Sequence, residues 1–154
     1  MTAEPLDDLT HDHAHMSRLV AEARELVHSV GTTPADAQSR AALGEALGSL
    51  LDDLATHFAR EEEGLFPFVA ARLPESSARL RGLTQLHDGL CGALGRMLRQ
   101  LDEPEPEKAL AAMFERFEVA YAEHSHEERD LIAALPKALS GDDLAELRGI
   151  LESL

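Results

Sequence analysis

Residues 57–67 of the chain read HFAREEEGLFP. His57 and Glu61 are four residues apart, so one face of a helix carries both side chains. Leu54, three residues before His57, and Leu65, four residues after Glu61, belong to the same face. The stretch therefore predicts a long amphipathic helix whose buried side carries an imidazole and a carboxylate.

Glycine and proline divide the rest of the chain into further helical segments, and no stretch alternates with period two for long enough to form a sheet. Gly31 is expected just past the end of the first helix. Thr33 is expected to cap the second helix, with Pro34 at its first position and Asp36 at its third. Pro67 is expected to kink or fray that helix near its end. We expect helices over about residues 6–30, 34–73, 76–101 and 107–135, with a short fifth helix from the Ser140 cap to Leu154.

Helices of this length with short connections form antiparallel neighbours. The sequence therefore predicts an all-α fold, namely an up-down-up-down four-helix bundle with a short C-terminal fifth helix. We expect residues 1–154 to form a single domain, because this length suits one core and the chain has no repeat array or low-complexity tract.

Composition argues against several classes of function. The formal net charge of −15 argues against nucleic acid and against an anionic membrane surface as partners. No apolar run approaches the ~18 residues that a membrane span requires, and the acidic N-terminus lacks the apolar segment of a signal peptide. A single cysteine, Cys91, rules out an internal disulfide and fits a reducing compartment, so we expect a cytoplasmic protein.

The chain contains eight histidines, which is many for its size. Each of the four long helices offers one histidine on its apolar stripe, and the second and fourth helices add a glutamate one turn later. These inward residues are His13, His57, Glu61, His87, His124 and Glu128.

Two carboxylates buried without a partner would cost several kcal/mol each, so a cation must compensate them. The inward stripes carry no lysine or arginine near these positions. A pair of metal ions satisfies all the inward groups at once. Imidazole and carboxylate ligands suit iron, manganese or zinc, and the absence of thiolate argues against a structural zinc site.

The pattern of His13, the HFAREEEGLFP stretch, His87 and the HSHEE run of residues 124–128 resembles the hemerythrin-like (HHE cation-binding) domains. The resemblance covers essentially the whole bundle, and residues 57–67 are its most specific part. It implies two non-haem iron ions (Fe2+/Fe3+) with a bridging oxo or hydroxo group. It also implies that Glu61 and Glu128 bridge the ions, with His13 and His57 on one ion and His87 and His124 on the other.

The sequence departs from the oxygen-carrying hemerythrins at two positions. Those proteins have a histidine where this chain has Leu83, and an aspartate where it has Arg129. One ion thereby loses a histidine, and an open coordination position on both ions is expected. This departure favours sensing, scavenging or oxidative chemistry over simple reversible carriage of O2.

The fourth helix contains rival ligand pairs. Glu123 with Glu127 and His126 with Asp130 have the same spacing as His124 with Glu128, but their faces are more polar, so we expect them to point outward. Two Glu-x-x-His pairs, which begin at Glu25 and Glu123, would suit a ferritin-like centre, but neither lies on an apolar stripe.

Several other residues have ordinary structural interpretations. Cys91 is expected to be an inert core thiol, and Tyr121 either a core aromatic or a hydrogen-bond donor beside the ligands. The remaining polar candidates are expected at the surface, namely His11, His15, His126, Glu62 and Glu63.

The predicted function is a non-haem di-iron protein that binds or reduces a small ligand (O2, NO or H2O2) in sensing, scavenging or oxidative-stress defence. Binding is favoured over catalytic turnover. The alternatives are an iron-sensing or iron-storage module, a peroxidase- or catalase-like di-iron enzyme, and a structural domain with a vestigial site.

Overall fold

Helices account for nearly all of the computed structural model, which describes residues 6–32 and 36–154. No strand occurs within these described ranges. The elements are α1 (Asp7–Thr32), α2 (Ala37–Arg60), a π-helical turn (Glu61–Leu65), α3 (Phe66–Arg72), a 3₁₀ turn (Pro74–Ser76), α4 (Ser77–Gln100), α5 (Glu107–Ala138) and α6 (Gly141–Glu152).

The four long helices, α1, α2, α4 and α5, form a bundle in which each packs against two others. His13 of α1 pairs with Glu128 of α5, whereas Arg24 pairs with Glu118, so the two helices run in opposite directions. The side-chain pairs between α1 and α2, and between α4 and α5, run in opposite order in the same way. The all-α bundle predicted from the sequence is confirmed.

Two apolar clusters lie on either side of a polar layer. The large core contains residues of all four long helices, represented by Val20 of α1, Leu47 of α2, Leu94 of α4 and Phe117 of α5. The small core contains Leu9, Leu65 and the α6 leucines Leu147 and Leu151. In each long helix the candidate ligands fall between residues of the two cores, so the helical period that builds the cores also directs the ligands inward.

The helix ends differ from the sequence predictions at several points. The first helix does not stop before Gly31 but continues through it to Thr32. Asp36 is the cap of α2 and not its third residue, because its side chain accepts the backbone N–H of Ser39. Thr33 and Pro34 lie outside the described residues.

The two internal prolines are accommodated without ending the helical run. Pro67 lies in the first turn of α3, directly after the π-helical turn, where its missing N–H is tolerated. Pro136 does not end α5, because Leu139 N–H still reaches the carbonyl of Leu135 and closes the last turn. Ser140 caps α6 as expected, in a reciprocal pair with Asp143, and α6 ends at Glu152.

None of the helices in the described ranges combines the length and the apolarity that crossing a membrane demands.

Candidate metal centre

The structure brings all six candidate ligands together in the polar layer between the two cores. One group of possible ligand atoms comes from His13, His57, Glu61 and Glu128, and a second comes from Glu61, His87, His124 and Glu128. Within each group the atoms lie within 4.8 Å of one another. The two glutamates belong to both groups, so the layer consists of two adjoining four-residue sites with shared carboxylates.

Glu61 reaches this layer from the π-helical turn that joins α2 to α3. The N–H of Phe66 donates to the carbonyl of Glu61, five residues earlier, which widens the helix by one residue at this point. The widened turn begins at the candidate ligand and ends at Leu65, two residues before Pro67. The local backbone irregularity therefore lies where the chain positions a buried carboxylate.

The centre is almost completely removed from solvent. Glu61, His57, His87, His124 and Glu128 are between 0% and 4% exposed. The His13 side chain differs, since 21% of it is exposed. The candidate centre therefore borders solvent on its α1 side.

The inward imidazole nitrogens are paired at a distance that suits a shared cation. Nε2 of His13 lies 3.1 Å from Nε2 of His57, and Nε2 of His87 lies 3.1 Å from Nε2 of His124. Two nitrogens bound at right angles, each about 2.1 Å from one metal ion, would be about 3.0 Å apart. The observed spacing thus matches two adjacent ligand positions on one ion in each site.

The carboxylates give an independent test of whether a cation fits. Both oxygens of Glu61 are buried without a hydrogen-bond partner, although Oε1 lies 3.0 Å from Nε2 of His57. Glu128 is 2.6 Å from Nε2 of His13 through Oε1 and 2.6 Å from Nε2 of His124 through Oε2. No lysine or arginine within the described ranges pairs with either glutamate. Buried anionic oxygens surrounded by imidazoles fit a bound cation.

Burial and mutual repulsion set the protonation of the metal-free layer. Burial, with the negative charge of the neighbouring Glu128, raises the pKa of Glu61 well above its usual range. Burial opposes ionisation of Glu128 as well, but contacts with Glu61 and three histidines hold its pKa well below the usual range. Burial, assisted by the neighbouring His124 imidazole, lowers the pKa of His87 to about 3. Without a metal, burial therefore favours the neutral forms of Glu61 and His87.

The family model described as the hemerythrin HHE cation binding domain matches residues 4–135. The chain belongs to this family. Comparisons with curated proteins and with solved structures find no match. Membership of the hemerythrin domain family, together with the His/Glu cluster, indicates a metal-binding site. The helix α6 lies beyond the matched residues.

Neither position that departs from the oxygen-carrying hemerythrins adds a ligand. Leu83 is 1% exposed and packs in the small core beside the centre. Arg129 is exposed, and its Nε donates to the carbonyl of Ser125 in its own helix. In this hemerythrin domain the cluster therefore offers two histidines to each site.

The rival ligand pairs point away from the centre. Glu123 and His126 are exposed, and His126 lies 3.4 Å from Asp130 on the surface of α5. The Glu25 and His28 side chains on α1 are exposed as well. The orientations predicted for these residues are confirmed. The side chain of His11 lies outside the described residues.

Sequence reasoning missed a residue that contacts the ligands from outside. Oδ2 of Asp12 lies 3.2 Å from Nδ1 of His57, on the side of the ring opposite the centre. Nη1 of Arg60 donates to the same oxygen at 3.0 Å, and Nη2 donates to the carbonyl of Leu151 in α6. A carboxylate at Nδ1 fixes the orientation and tautomer of a ligating histidine. The sequence offered no signal for this contact beyond the position of Asp12 next to His13.

His87 has its own supporting contacts. The Phe58 ring stacks on the His87 ring with centroids 3.7 Å apart and planes 5° from parallel, and Phe66 stacks near the same ring at 5.6 Å. Oε2 of Glu62 lies 3.9 Å from Nδ1 of His87, so Glu62 is not simply a solvated surface residue as the sequence suggested.

Cys91 and Tyr121 stay outside the ligand set. Burial, with the negative charges of Asp88 and Glu62, raises the pKa of the half-buried Cys91 thiol, which disfavours the reactive thiolate. The Tyr121 hydroxyl is 3.4 Å from the Ser17 hydroxyl, and its ring centroid is 6.2 Å from that of His124.

Proposed function

We propose that the chain is a non-haem di-iron protein that binds or reduces a small ligand (O2, NO or H2O2) in sensing, scavenging or oxidative-stress defence. The observation that carries this proposal is the pair of adjoining sites that share both buried glutamates. Because both glutamates belong to both groups, each of two cations would have four ligand residues, namely two imidazoles and the two shared carboxylates. Iron in such a centre supplies the redox change and the open position for a small ligand.

The six candidate ligands and the residues that contact them would have different roles in the centre. His13 and His57 would hold one ion, His87 and His124 the other, and Glu61 and Glu128 would lie between the two ions. Asp12 accepts from Nδ1 of His57 and keeps Nε2 directed at the centre. The stacked Phe58 ring fixes His87 and keeps water from its face. With Leu83 in place of a further imidazole, each ion would keep a position for a ligand.

The remaining features support one domain in a reducing compartment. Leu147 and Leu151 of α6 are buried in the small core, which supports treating residues 1–154 as a single hemerythrin-like domain. The single cysteine has no partner for an internal disulfide, which supports a cytoplasmic location.

Anaerobic purification with metal quantification and an optical spectrum tests the proposal. We expect about two iron ions per chain, the number that a two-metal site requires, and spectral changes on exposure to O2, NO or H2O2. A protein that holds one zinc ion tightly and does not exchange it for iron would contradict the di-iron assignment. Turnover of H2O2 without loss of the centre would favour the peroxidase- or catalase-like alternative.

Iron sensing is a second candidate, and a specific contact favours it. Arg60 joins Asp12, and through it His57, to the Leu151 carbonyl of α6. Iron binding that orders His57 would therefore also favour docking of α6. Hydrogen exchange of residues 141–152 with and without iron measures this linkage. Equal protection in the two states would contradict sensing through α6.

A further inference from the structure

The partly exposed candidate ligand His13 lies in the wall of a groove between α1 and α5. The groove has a volume of about 450 Å³, and its lining includes His13, Ser17, Tyr121, Ser125 and Arg129. The other five candidate ligands are at most 4% exposed. The groove is therefore a direct route from solvent to the centre, and it ends at the ion that His13 and His57 would hold.

The wall of this groove is polar and can donate hydrogen bonds. The hydroxyls of Ser17 and Tyr121 lie 3.4 Å apart across it, one on each helix. A small molecule with oxygen or nitrogen acceptors would find donors here, whereas an apolar diatomic molecule would gain nothing from them.

One charge in the groove has no opposite partner. Arg24 also lines the groove but is neutralised by Glu118, whose Oε2 accepts from Nε of Arg24 at 2.6 Å. Within the described ranges no carboxylate pairs with Arg129, whose Nε bonds only to the Ser125 carbonyl. Arg129 therefore leaves the groove with a positive charge in a chain whose formal net charge is −15.

The groove between α1 and α2 has the opposite character. It reaches His57 but is smaller, about 190 Å³, and it carries two aspartates, Asp12 and Asp53, and one arginine, Arg60, which pairs with Asp12. The remaining carboxylate, Asp53, repels anions, so the α1/α5 groove is the more favourable path for them.

We propose that the α1/α5 groove admits small inorganic anions with hydrogen-bond acceptors to the His13 side of the centre, and that Arg129 attracts them. This inference rests on the proposed metal centre for the destination of the anion, but not for the groove itself. Arg129 is a positioning residue, since it is held on the groove wall and makes no contact with a candidate ligand. Its charge would raise the local concentration of anions beside His13.

Tyr121 makes the groove observable without iron. It is the single tyrosine of a chain that has no tryptophan, so the intrinsic fluorescence belongs to one groove residue. Iodide is an anionic quencher and acrylamide a neutral one. In protein prepared with redox-inert Zn2+, we expect Arg129→Ala to lower the iodide quenching constant about twofold and Arg129→Glu about fourfold at low salt. Acrylamide quenching should not change, and Arg129→Lys should keep the wild-type iodide value.

Arg116→Ala and Arg116→Glu are the matched controls. Arg116 is an exposed arginine of the same helix, has no ion pair within the described ranges, and lines the α4/α5 groove instead. These controls should leave iodide quenching unchanged. Equal losses of iodide quenching in the Arg116 and Arg129 variants would overturn the proposal, because the effect would then come from the net charge of the protein. No loss in either series would overturn it as well, because Arg129 would then have no effect on anions in the groove.

The association rate of azide with the iron-loaded protein connects the groove to the centre. We expect Arg129→Ala to slow azide about twofold at low salt, with the difference vanishing at high salt and with the NO rate unchanged. An azide rate independent of Arg129 in a protein that holds iron would overturn this inference alone. A wild-type protein that holds no metal would overturn the proposed function and the destination of the anion. Iodide quenching would then still test whether Arg129 attracts anions to the groove.

Discussion

Replacing Asp12 by asparagine tests whether a residue outside the ligand set controls the centre. Oδ2 of Asp12 lies 3.2 Å from Nδ1 of His57, while Nε2 of the same ring lies 3.0 Å from Oε1 of Glu61. The carboxylate accepts the Nδ1 proton and so leaves Nε2 as the nitrogen available to a cation. Asparagine has nearly the same size as aspartate but carries no negative charge. Its side chain can also turn its NH2 group, which accepts no hydrogen bond, toward Nδ1 of His57.

The expected loss follows from the exposure of this contact. Removing such a partner lowers metal affinity about 10- to 100-fold, or roughly 1.4–2.8 kcal/mol. The Asp12 side chain is 37% exposed and also pairs with Arg60, so solvent and Arg60 weaken its effect on the imidazole. We therefore expect the lower end, about tenfold, for the ion held by His13 and His57, and no change for the other ion.

Competition of the metal-free protein with a chromophoric chelator measures both affinities. Asp53→Asn is the matched control, because this substitution also removes one negative charge beside a histidine. Asp53 is 47% exposed and lies 3.2 Å from His15, which is not a candidate ligand. Wild-type affinity for both ions in Asp12→Asn would contradict a role for Asp12 in metal binding. An equal loss of affinity in Asp53→Asn would contradict it as well, because the loss would then reflect net charge alone.

Three further predictions concern the shared carboxylates. Glu128→Ala should lose at least one iron ion, because Glu128 belongs to both sites, whereas Glu123→Ala changes an exposed residue and should keep both ions. Iron analysis checks this, and the reverse result would mean that Glu123 and not Glu128 is the ligand in α5. Removing the metal with a chelator should lower the Tm well below that of the metal-loaded protein, because both oxygens of Glu61 then lack a partner. Equal Tm values for the two forms would contradict a buried metal site. Metal affinity should fall as the pH falls, because burial raises the pKa of Glu61 and the Glu61 proton must leave before a cation binds. Metal titrations that give the same affinity at pH 5.5 and at pH 7.5 would contradict this prediction.

The helical period was sufficient to choose the inward residues. His124 and Glu128 share a stripe with buried Phe117 and Leu135, whereas Glu123 lies on an exposed face, and a one-residue rotation of α5 would expose its whole apolar stripe. Burial of that stripe is worth many kcal/mol, so the orientation of the helix was predictable from the chain itself. The role of these residues as ligands remains a prediction.

Contacts between helices were not predictable in the same way. Asp12 lies off the inward stripe of α1 and reaches His57 only because α2 packs beside α1. Glu62 lies in the π-helical turn with Oε2 3.9 Å from Nδ1 of His87 in α4, and no local pattern in residues 61–65 predicted this turn.

Local breakers misled the prediction of the helix ends. Gly31 and Pro136 both disfavour a helix in isolation, but α1 and α5 continue through them. Val30, just before Gly31, packs in the large core, and Leu139, just after α5, packs in the small core. Tertiary burial outweighs a helix-propensity cost of about 1 kcal/mol for glycine and of about 3 kcal/mol for proline in a helix interior.

Anomalous diffraction at the iron absorption edge, from crystals of the iron-loaded protein, tests the di-iron centre most directly. We predict two iron peaks per chain between Glu61 and Glu128, about 3.5–4 Å apart. One peak should be bounded by His13 and His57 and the other by His87 and His124. A single peak, or iron bound only at exposed groups such as His15 or His126, would contradict the account.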